Sequence, residues 1–363
     1  MKVLFVATVT EHITAFHLPY LRWFKEKGFE VHIAAWGDDV IPYCDKKHNV
    51  AIRRSPFKLG NIKAYFQLKN ILKHEKFDII HGHTPMGGIL ARLCGRKHRK
   101  HGMKVFYTAH GFHFFKGAPL LNWLLYYPIE KRLSRYTDVL ITINREDYAL
   151  AKRKMRAEKV CYVPGVGVDT DKFAAPSVDR ETKRKELGLP LDAVVLISIG
   201  ELNKNKNHQT AIKAVSRIQN DNLYYIICGR GKLQGKLQEL CRQLKLEDRV
   251  MFLGYRKDIP ELLNSSDIFV FPSLREGLSV SLMEAMAASL PCVVSKIRGN
   301  VDLIEDSKGG YLCGNIGDYT ESIEKINQNM GEHNKNVIQN FGLAFVMEKM
   351  KEIYSEGLNG TNY

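Results

Sequence analysis

Hydrophobic residues along this chain fall into short, nearly continuous runs that alternate with longer segments in which they recur every three or four positions. The runs are rich in β-branched residues and predict five strands in the first half: Val3–Val9, Glu30–Ala35, Ile79–His81, Val105–Thr108 and Val139–Ile143. The intervening segments predict three helices: Tyr20–Lys27, Ile62–His74 and Met86–Arg96. Short apolar strands separated by helices form a parallel sheet that helices cover on both faces.

The same alternation restarts in the second half, after a polar, proline-containing stretch. Five further runs predict strands there: Val194–Ser198, Tyr224–Cys228, Val250–Phe252, Ile268–Phe271 and Cys292–Ser295. We therefore predict an α/β protein of two doubly wound, Rossmann-like domains, at residues 1–175 and 176–340. Residues 341–363 would add a helix at Phe341–Tyr354 and a frayed tail from Gly357, with packing against the first domain as one option.

The composition favours a cytoplasmic protein without a metal site. The first residues lead directly into a strand-like run without the layout of a signal peptide, and no apolar stretch reaches the roughly 18 residues of a spanning helix. The 7 cysteines are scattered and form no Cys-x-x-Cys motif, which predicts reduced thiols. The 13 histidines form no HExxH-like pattern, so the sequence predicts neither a metal nor another cofactor.

The net charge of +15 lies entirely in the first half of the chain. Residues 1–175 hold 30 Lys and Arg against 15 Asp and Glu, whereas residues 176–363 hold 24 of each. A one-sided basic surface indicates an anionic partner, which is a nucleic acid, a phosphorylated ligand or the acidic face of a membrane.

A basic cluster in the first half precedes an aromatic segment. The residues concerned are Arg96, Lys97, Arg99 and Lys100 in the cluster, and Phe114, Phe115 and Trp123 in the aromatic segment. Basic runs are most often solvated faces of a protein. Cations beside apolar side chains also favour docking on an anionic leaflet, so we expect these seven residues to meet the inner face of the cell membrane.

Open parallel sheets bind ligands beside the carboxyl ends of their strands, so the loops after the second-half strands are candidate sites. The first of these loops carries Gly200 and then Lys206 and Asn207, and the next strand is followed by Gly229. Glycines allow tight turns close to a ligand, and a lysine can neutralise a phosphate. Taken alone, each of these loops is better explained as a solvated turn.

The loop after the fourth strand of the second half is more specific, because it places two carboxylates around a helix start. Glu276 lies in the loop, a helix capped near Ser279 follows, and Glu284 lies about a turn and a half into that helix. Carboxylates accept hydrogen bonds from the paired hydroxyls of sugars and ribose. The amides of Leu278, Ser279 and Val280 would present the positive end of the helix dipole to a diphosphate.

The spacing of Glu276 and Glu284 resembles the Glu-x7-Glu signature of the family 4 retaining glycosyltransferases, which have the two-domain GT-B fold. The match runs in order through the following residues: Gly200, Leu202, Lys206, Asn207, Gly229, Leu253-Gly254-Tyr255, Asp267 and Gly299. In the first half, His17 and Pro19 resemble the capsule and exopolysaccharide members. The resemblance implies two Rossmann-like domains facing each other across a cleft, with the C-terminal one holding a nucleoside diphosphate sugar.

The resemblance also implies roles for individual residues in the C-terminal domain. Glu284 would hold the ribose hydroxyls, Glu276 the hydroxyls of the donor sugar, and Lys206 the diphosphate. The amides at the helix start would meet the phosphate and the sugar. Tyr255 and Arg256 would lie beside the base.

The first half matches the family more loosely. His110 follows a predicted strand and resembles the family's active-site histidine, which faces the reacting sugar. One departure concerns the phosphates: Glu201 stands where many relatives carry arginine. A second cation on the diphosphate would then have to come from Lys204 or Arg230.

The reaction implied by the resemblance is transfer of a hexose or N-acetylhexosamine, with retention of anomeric configuration, from a UDP-sugar to a polyprenyl-linked saccharide. The enzyme would be peripheral on the membrane and need no metal, because a lysine and helix amides offset the charge of the diphosphate.

Two other classes of protein remain open. A sugar-nucleotide epimerase has the same architecture, and a nucleic-acid-binding protein would suit the charge, although no recognition-helix, RNP or zinc signature is present and we expect no nucleic acid.

Overall fold

The computed structural model describes residues 1–359. The chain forms two compact units. Unit 1 consists of Met1–Val166 together with the residues from Met347 onward, and unit 2 consists of Gly167–Val346.

Unit 1 is built on a seven-stranded parallel sheet in the order β3-β2-β1-β4-β5-β6-β7. Its strands are β1 (Lys2–Val9), β2 (Glu30–Trp36), β3 (Lys46–Asn49), β4 (Ile79–Gly82), β5 (Lys104–Ala109), β6 (Val139–Thr142) and β7 (Lys159–Tyr162). Its helices are α1 (Thr10–Phe16), α2 (Leu18–Glu26), α3 (Gly60–His74), α4 (Pro85–Gly95), α5 (Leu120–Leu133) and α6 (Arg145–Lys154).

Unit 2 has a six-stranded parallel sheet in the order β10-β9-β8-β11-β12-β13. Its strands are β8 (Val194–Ile199), β9 (Leu223–Cys228), β10 (Val250–Gly254), β11 (Ile268–Phe271), β12 (Cys292–Ser295) and β13 (Gly310–Cys313). Its helices are α7 (Thr170–Ala174), α8 (Arg180–Glu186), α9 (His208–Val215), α10 (Gln234–Gln243), α11 (Ile259–Asn264), α12 (Val280–Ala287), α13 (Asn300–Leu303), α14 (Ile316–Lys325) and α15 (Asn329–Val337). Both sheets are doubly wound, which confirms the predicted fold class.

The central strands are apolar because helices cover both faces of each sheet. Residues 3–8 of β1 are buried, and so are all residues of β4, β6, β11 and β12. This burial explains why the strands appear in the sequence as continuous hydrophobic runs rather than alternating ones.

Three strands of the structure were not predicted from the sequence, and neither were several helices, among them α1, α5 and α6. The edge strands β3 and β7 are partly exposed, and none of β3, β7 and β13 contains a run of β-branched residues that would mark a strand in the sequence. The residues directly after β1, for which the sequence analysis predicts no helix, form the helix α1. Burial of Thr10 and Ile13 against the rest of unit 1 accounts for that helix, which has no side-chain cap.

The division between the units falls after Val166 rather than after residue 175. The backbone of Val168 explains the shift, since its N–H donates to the carbonyl of Phe341 at 3.1 Å and its carbonyl accepts from the N–H of Leu343 at 2.8 Å. These bonds hold residues 167–175 in unit 2.

The last helix, α16 (Leu343–Asn359), is longer than the Phe341–Tyr354 helix that the pattern predicts. Its residues from Met347 onward belong to unit 1, where the hydroxyl of Tyr354 lies 2.7 Å from Nδ1 of the buried His81. The tail predicted from Gly357 is helical to Asn359, and its residues 360–363 lie outside the described residues.

All 7 cysteines are free thiols, as predicted from their scattered spacing. Of these, 6 are buried. Within residues 1–359, no helix has both the length and the apolar character required to cross a bilayer.

Candidate active site

The carboxyl ends of β9, β8 and β11, which are neighbours in the sheet of unit 2, bring three loops together. Lys206 from the loop after β8 meets Glu276 from the loop after β11, with Nζ 2.8 Å from Oε1. The Lys206 ammonium also lies 4.5 Å from the ring centroid of Phe271. The side chains of the pair are only 20% and 14% exposed, so a lysine and a carboxylate face each other in a partly desolvated place.

Two glycines allow these loops to touch through their backbones. Gly229 has a φ of +149°, and a Cβ there would lie 1.9 Å from the carbonyl oxygen of Gly200. Gly299, in the loop after β12, has a φ of +84°, and a Cβ there would lie 2.3 Å from the carbonyl oxygen of Gly277. Only glycine fits at either position, because a side chain would push the neighbouring loop away.

Asparagines fix the loop after β8 onto the loop after β11. Asn205 donates from Nδ2 to the carbonyl of Arg275 at 2.9 Å, and its own carbonyl accepts from the N–H of Leu274 at 2.8 Å. Asn207, which has a left-handed φ of 53°, donates from Nδ2 to the carbonyl of Pro272 at 3.2 Å. These bonds set the position from which Lys206 reaches Glu276.

Helix α12 begins directly after this loop. Ser279 caps it, with Oγ accepting from the N–H of Leu282 at 3.4 Å, and Leu278 is buried beneath the turn. Amides in the first turn of a helix have no partner within the helix and carry its positive partial charge. The amides at this helix start follow directly on the loop of Glu276, the partner of Lys206, and their contact with a diphosphate stays a prediction.

Glu284 lies on α12, half-buried, and burial raises the pKa of its carboxyl to about 7 while Lys172 of α7 opposes that shift. The carboxyl therefore titrates near neutrality, so its charge responds to a bound ligand. Such perturbed carboxyls are typical of functional sites.

Tyr255 and Arg256, predicted beside the base, follow β10. The tyrosine is 67% exposed and free to stack on a flat ligand. The arginine, in contrast, is bound to Asp258, with Nε 2.8 Å from Oδ1, and this contact holds the pKa of the Asp258 carboxyl well below its usual range. Glu201, which stands where many relatives carry arginine, is exposed. Lys204 and Arg230, the two candidates for a second cation on the diphosphate, are exposed as well.

Arg298 is a site residue that the sequence reasoning missed. Its side chain is 8% exposed, and its Nε donates to the carbonyl of Glu276 at 3.3 Å. The arginine therefore stabilises the loop of Glu276 through a hydrogen bond to its backbone. The sequence feature that could have pointed to Arg298 is its position directly before Gly299, a residue of the family match.

In unit 1, four histidines meet where β1, β4 and β5 end. His12 and His17 lie in and after α1, His83 follows β4, and His110 follows β5, with Nε2 of His110 3.4 Å from Nδ1 of His83. Burial lowers the pKa of His12 to about 4 and lowers the pKa values of the other three well below the usual range. All four imidazoles are therefore neutral.

An apolar groove of about 430 Å³ opens beside His110. Its lining includes Leu125 and Ile129 of α5, and Arg54 and Phe57 of the segment before α3. Further exposed apolar side chains lie on α5 and at the start of α3: Leu120, Leu121 and Leu124, and Leu59 and Ile62. We call these five residues together with Phe57 and Leu125 the apolar rim.

The seven residues predicted to meet a membrane do not form one surface. Phe114 is fully buried, and stacks on Phe112, so its assignment as a membrane contact is wrong. Arg99 is 20% exposed and its guanidinium is bound to Asp138 and Glu158, so its membrane contact stays a prediction. A run of hydrophobic residues in a sequence does not show which of them the tertiary structure buries.

The remaining residues of that group are partly or fully accessible. Phe115 and Trp123 are half-buried, with the indole N–H of Trp123 donating to the carbonyl of Phe115 at 3.3 Å. Arg96, Lys97 and Lys100 are exposed. They follow the end of α4 and precede β5, which places them at the amino edge of the sheet, opposite the edge that holds His110.

Comparison with known proteins agrees with this arrangement. Residues 179–341 match the family described as glycosyl transferases group 1, and residues 2–144 match the family described as glycosyl transferase 4-like. EpsD of Bacillus subtilis (strain 168), whose name assigns it to the glycosyltransferases, is 42% identical over 98% of this chain and 96% of its own length. The UDP-Gal:alpha-D-GlcNAc-diphosphoundecaprenol alpha-1,3-galactosyltransferase of Escherichia coli is 32% identical over 82% of this chain and 80% of its own length.

Solved structures share the fold over the whole chain. Alr3699/HepE of Anabaena in complex with UDP has a TM-score of 0.79 at 18% identity, covering 98% of this chain and 100% of its own. WaaG, a glycosyltransferase involved in lipopolysaccharide biosynthesis, has a TM-score of 0.76 at 18% identity, covering 97% and 99%. The chain belongs to the group 1 glycosyl transferases, family 4, and is a glycosyltransferase with the GT-B fold.

Proposed function

We propose that the enzyme transfers a hexosyl or N-acetylhexosaminyl unit from a UDP-sugar to a polyprenyl-diphosphate-linked saccharide during assembly of an exopolysaccharide or capsule, with retention of anomeric configuration. The observation that carries the donor half of this proposal is the Lys206–Glu276 pair at the start of α12. The names of two relatives support the acceptor. One is the galactosyltransferase of Escherichia coli, and the other is a Campylobacter jejuni N-acetylgalactosaminyltransferase for a diphospho-undecaprenol substrate, 24% identical over 92% of this chain.

The donor diphosphate lies between Lys206 and the amides of residues 278–280 in this proposal. Without ligand, the ammonium of Lys206 is bound to Glu276. An arriving diphosphate draws the ammonium to itself and frees the Glu276 carboxylate for the hydroxyls of the sugar. The positive charge and the helix amides offset the charge that develops on the departing diphosphate, so we propose that this step needs no metal.

The nucleoside lies further along the same sheet edge. Glu284 accepts from the ribose hydroxyls, and Tyr255 stacks on the uracil near Gly229. Arg256 reaches the base only by leaving Asp258, which bonds it through Nε and Nη2. We therefore expect Tyr255, rather than Arg256, to make the main contact with the base.

The acceptor enters at unit 1. The apolar groove beside His110 has room for the first isoprenoid units of a lipid, and the apolar rim offers side chains that are between 40% and 81% exposed. Arg54 lines the groove, and Arg53, Lys58 and Lys63, near it in the sequence, are exposed. Exposed cations on the same segments as exposed apolar side chains favour an anionic membrane surface, so we propose that the enzyme acts on the inner face of the cell membrane.

In the reaction, the acceptor hydroxyl oxygen bonds to C1 of the donor sugar while the bond from C1 to the UDP oxygen breaks. The proton of the hydroxyl passes to the phosphate oxygen that leaves C1, and UDP departs. The ring of His110 lies at the carboxyl edge of the unit 1 sheet and lines the groove, and its role towards the reacting sugar is taken from the family resemblance. Retention follows from the family resemblance.

The test is a transfer assay with a panel of radiolabelled UDP-sugars and an undecaprenyl-diphosphate-linked disaccharide. We expect a labelled lipid product whose new bond has the anomeric configuration of the donor. Lys206→Ala should abolish the product, whereas Lys213→Ala, an exposed lysine of α9, should not. Isomerised sugar formed from donor alone, with no labelled lipid, would show an epimerase and overturn the proposal.

A further inference from the structure

The four histidines at the carboxyl edge of unit 1 form a closed set of nitrogen atoms. One ring nitrogen from each of His12, His17, His83 and His110 lies within 4.8 Å of the corresponding nitrogens of the other three. His17 and His83 are 2% and 1% exposed, and their ring centroids are 3.9 Å apart. Three chain segments, each following a different strand, supply the set.

Several of these nitrogens lack the partners that buried polar atoms normally have. Within residues 1–359, no hydrogen-bond partner lies in reach of Nε2 of His12, of either ring nitrogen of His17, or of Nε2 of His83. The adjacent His81 differs, since its two nitrogens meet the hydroxyls of Tyr354 at 2.7 Å and of Thr108 at 2.9 Å. Buried polar atoms without a partner are costly, so their concentration at one point indicates a missing ligand.

The space at this point limits what the ligand can be. A cavity of about 10 Å³ is lined by His17, His83 and His110 together with Tyr20 and Thr108. That volume holds about one water-sized particle. A phosphate or a sugar is too large, whereas a single ion fits.

We propose that His12, His17, His83 and His110 bind one divalent transition-metal ion, with zinc the preferred metal. With Zn–N bonds of about 2.0–2.1 Å, the nitrogens of a tetrahedral site are about 3.3 Å apart. In this structure one ring nitrogen from each histidine lies within 4.8 Å of the others, so rotations of the imidazoles are enough to bring the four nitrogens to that spacing.

The donor set determines the class of metal. Neutral imidazoles suit zinc, copper, nickel and cobalt, whereas magnesium and calcium prefer oxygen ligands, which this set does not contain. The second group of potential ligands in unit 1, Glu30, His32 and Glu75, lacks orphaned atoms. Its carboxylates are bound to Lys2 and Lys46, and His32 is bound to Glu30 and His48.

The ion would tie together the segments that follow β1, β4 and β5, and would hold the ring of His110 in one orientation. The metal site stands independently of the reaction, and only this positioning role rests on the proposed function. The proposal that sugar transfer needs no metal concerns the diphosphate in unit 2, so it does not conflict with an ion bound by histidines of unit 1.

The test measures bound metal in the full chain, purified without a polyhistidine tag, by mass spectrometry after dialysis against zinc and removal of free ion. We expect one zinc ion per chain. His17→Ala and His83→Ala should each lose it, whereas His74→Ala, at an exposed histidine of α3, and Lys206→Ala should keep it. Circular dichroism identifies any variant that fails to fold.

A cobalt-loaded sample gives a second readout that does not depend on activity. Tetrahedral Co²⁺ absorbs strongly in the visible range, and His12→Cys should retain the ion and add a sulfur-to-cobalt charge-transfer band, because a thiolate replaces one imidazole. A wild-type chain that takes up neither zinc nor cobalt, or that binds metal equally well in His17→Ala and His83→Ala, would overturn the proposal. Either result leaves the donor assay, and hence the proposed function, untouched.

Discussion

Lys206 and Glu276 are 70 positions apart in the sequence, yet their side chains form a 2.8 Å ion pair at the carboxyl edge of unit 2. The pair unites a cation suited to phosphate with a carboxylate suited to sugar hydroxyls, in front of the positive end of α12. A nucleoside diphosphate sugar presents both groups in adjacent positions. In the proposed function, the pair lies where the sugar and the diphosphate of the donor are joined.

Removing the ammonium should weaken binding of the diphosphate selectively. A hydrogen bond to a charged group contributes about 1.5–3 kcal/mol, so Lys206→Ala should raise the Kd for UDP by about 10- to 150-fold. Affinity for uridine, which has no phosphate, should change little. Isothermal titration of both ligands checks this, with Lys213→Ala as the control. An equal loss for uridine would indicate that the mutation damages the nucleoside site instead.

Binding of UDP should depend on pH through Glu284. Burial raises the pKa of this carboxyl from 4.5 to about 7, so it is mostly protonated at pH 6 in the free enzyme. Ribose hydroxyls donate to the carboxylate, so UDP should bind more tightly at pH 8 than at pH 6 and should release a proton at the lower pH. Titrations in buffers of different ionisation enthalpy measure that proton. Glu284→Gln should abolish the release, whereas Glu324→Gln, on the exposed face of α14, should preserve it.

The same carboxyl has a consequence for stability. Because its pKa in the folded state lies above the unfolded value, the folded chain binds more protons between pH 4.5 and about 7, and stability falls as pH rises through that window. Glu284→Gln removes the cost of burying a charge. We expect the variant to gain more stability over wild type at pH 8 than at pH 5 in urea unfolding. An equal difference at both pH values would show that Glu284 is not desolvated.

The contact between Gly299 and the loop of Glu276 should be intolerant of any side chain. A Cβ at Gly299 would lie 2.3 Å from the carbonyl oxygen of Gly277, and its φ of +84° disfavours other residues. Gly299→Ala should displace the Glu276 loop, lower kcat by at least about tenfold and cost roughly 1–3 kcal/mol of stability. Gly235→Ala is the matched control, because a Cβ there has no atom within 4 Å. Normal kcat in Gly299→Ala would contradict this view of the loop.

Membrane binding should depend on the apolar rim rather than on the cluster at Arg96. Leu120, Leu121 and Leu124 are 72%, 62% and 64% exposed, and burying a leucine contributes about 1.5–3 kcal/mol. Replacing all three with serine should release the protein from anionic vesicles in a flotation assay. Replacing Lys97 and Lys100 with serine should have a smaller effect, since they lie at the opposite edge of the sheet. The reverse order of effects would restore the basic cluster as the docking surface.

The sequence was sufficient to predict that the loops carrying Gly200, Lys206, Gly229 and Glu276 meet, because loops after neighbouring strands of a doubly wound sheet share one edge. That these loops, together with Glu284, hold a nucleotide sugar stays a prediction. Arg298 was not predicted as a site residue, because it contacts the loop through a backbone carbonyl and the sequence does not reveal such a contact.

The histidine cluster was beyond sequence reasoning. His17 and His83 come together only because β1 and β4 are neighbours in the sheet, an order that a list of strands does not reveal. Phe114 shows a related gap: its hydrophobicity predicted an exposed apolar segment, whereas packing against Phe112 and Trp123 buries it. Both the meeting of His17 with His83 and the burial of Phe114 depend on contacts between elements that are distant in the sequence.

The most direct test of the central claim is a crystal structure of the chain with UDP. The account predicts the diphosphate within hydrogen-bond distance of Nζ of Lys206 and of the amides at the start of α12, and the ribose hydroxyls on the carboxylate of Glu284. A nucleotide bound elsewhere on the molecule, with the Lys206–Glu276 ion pair still intact, would contradict it.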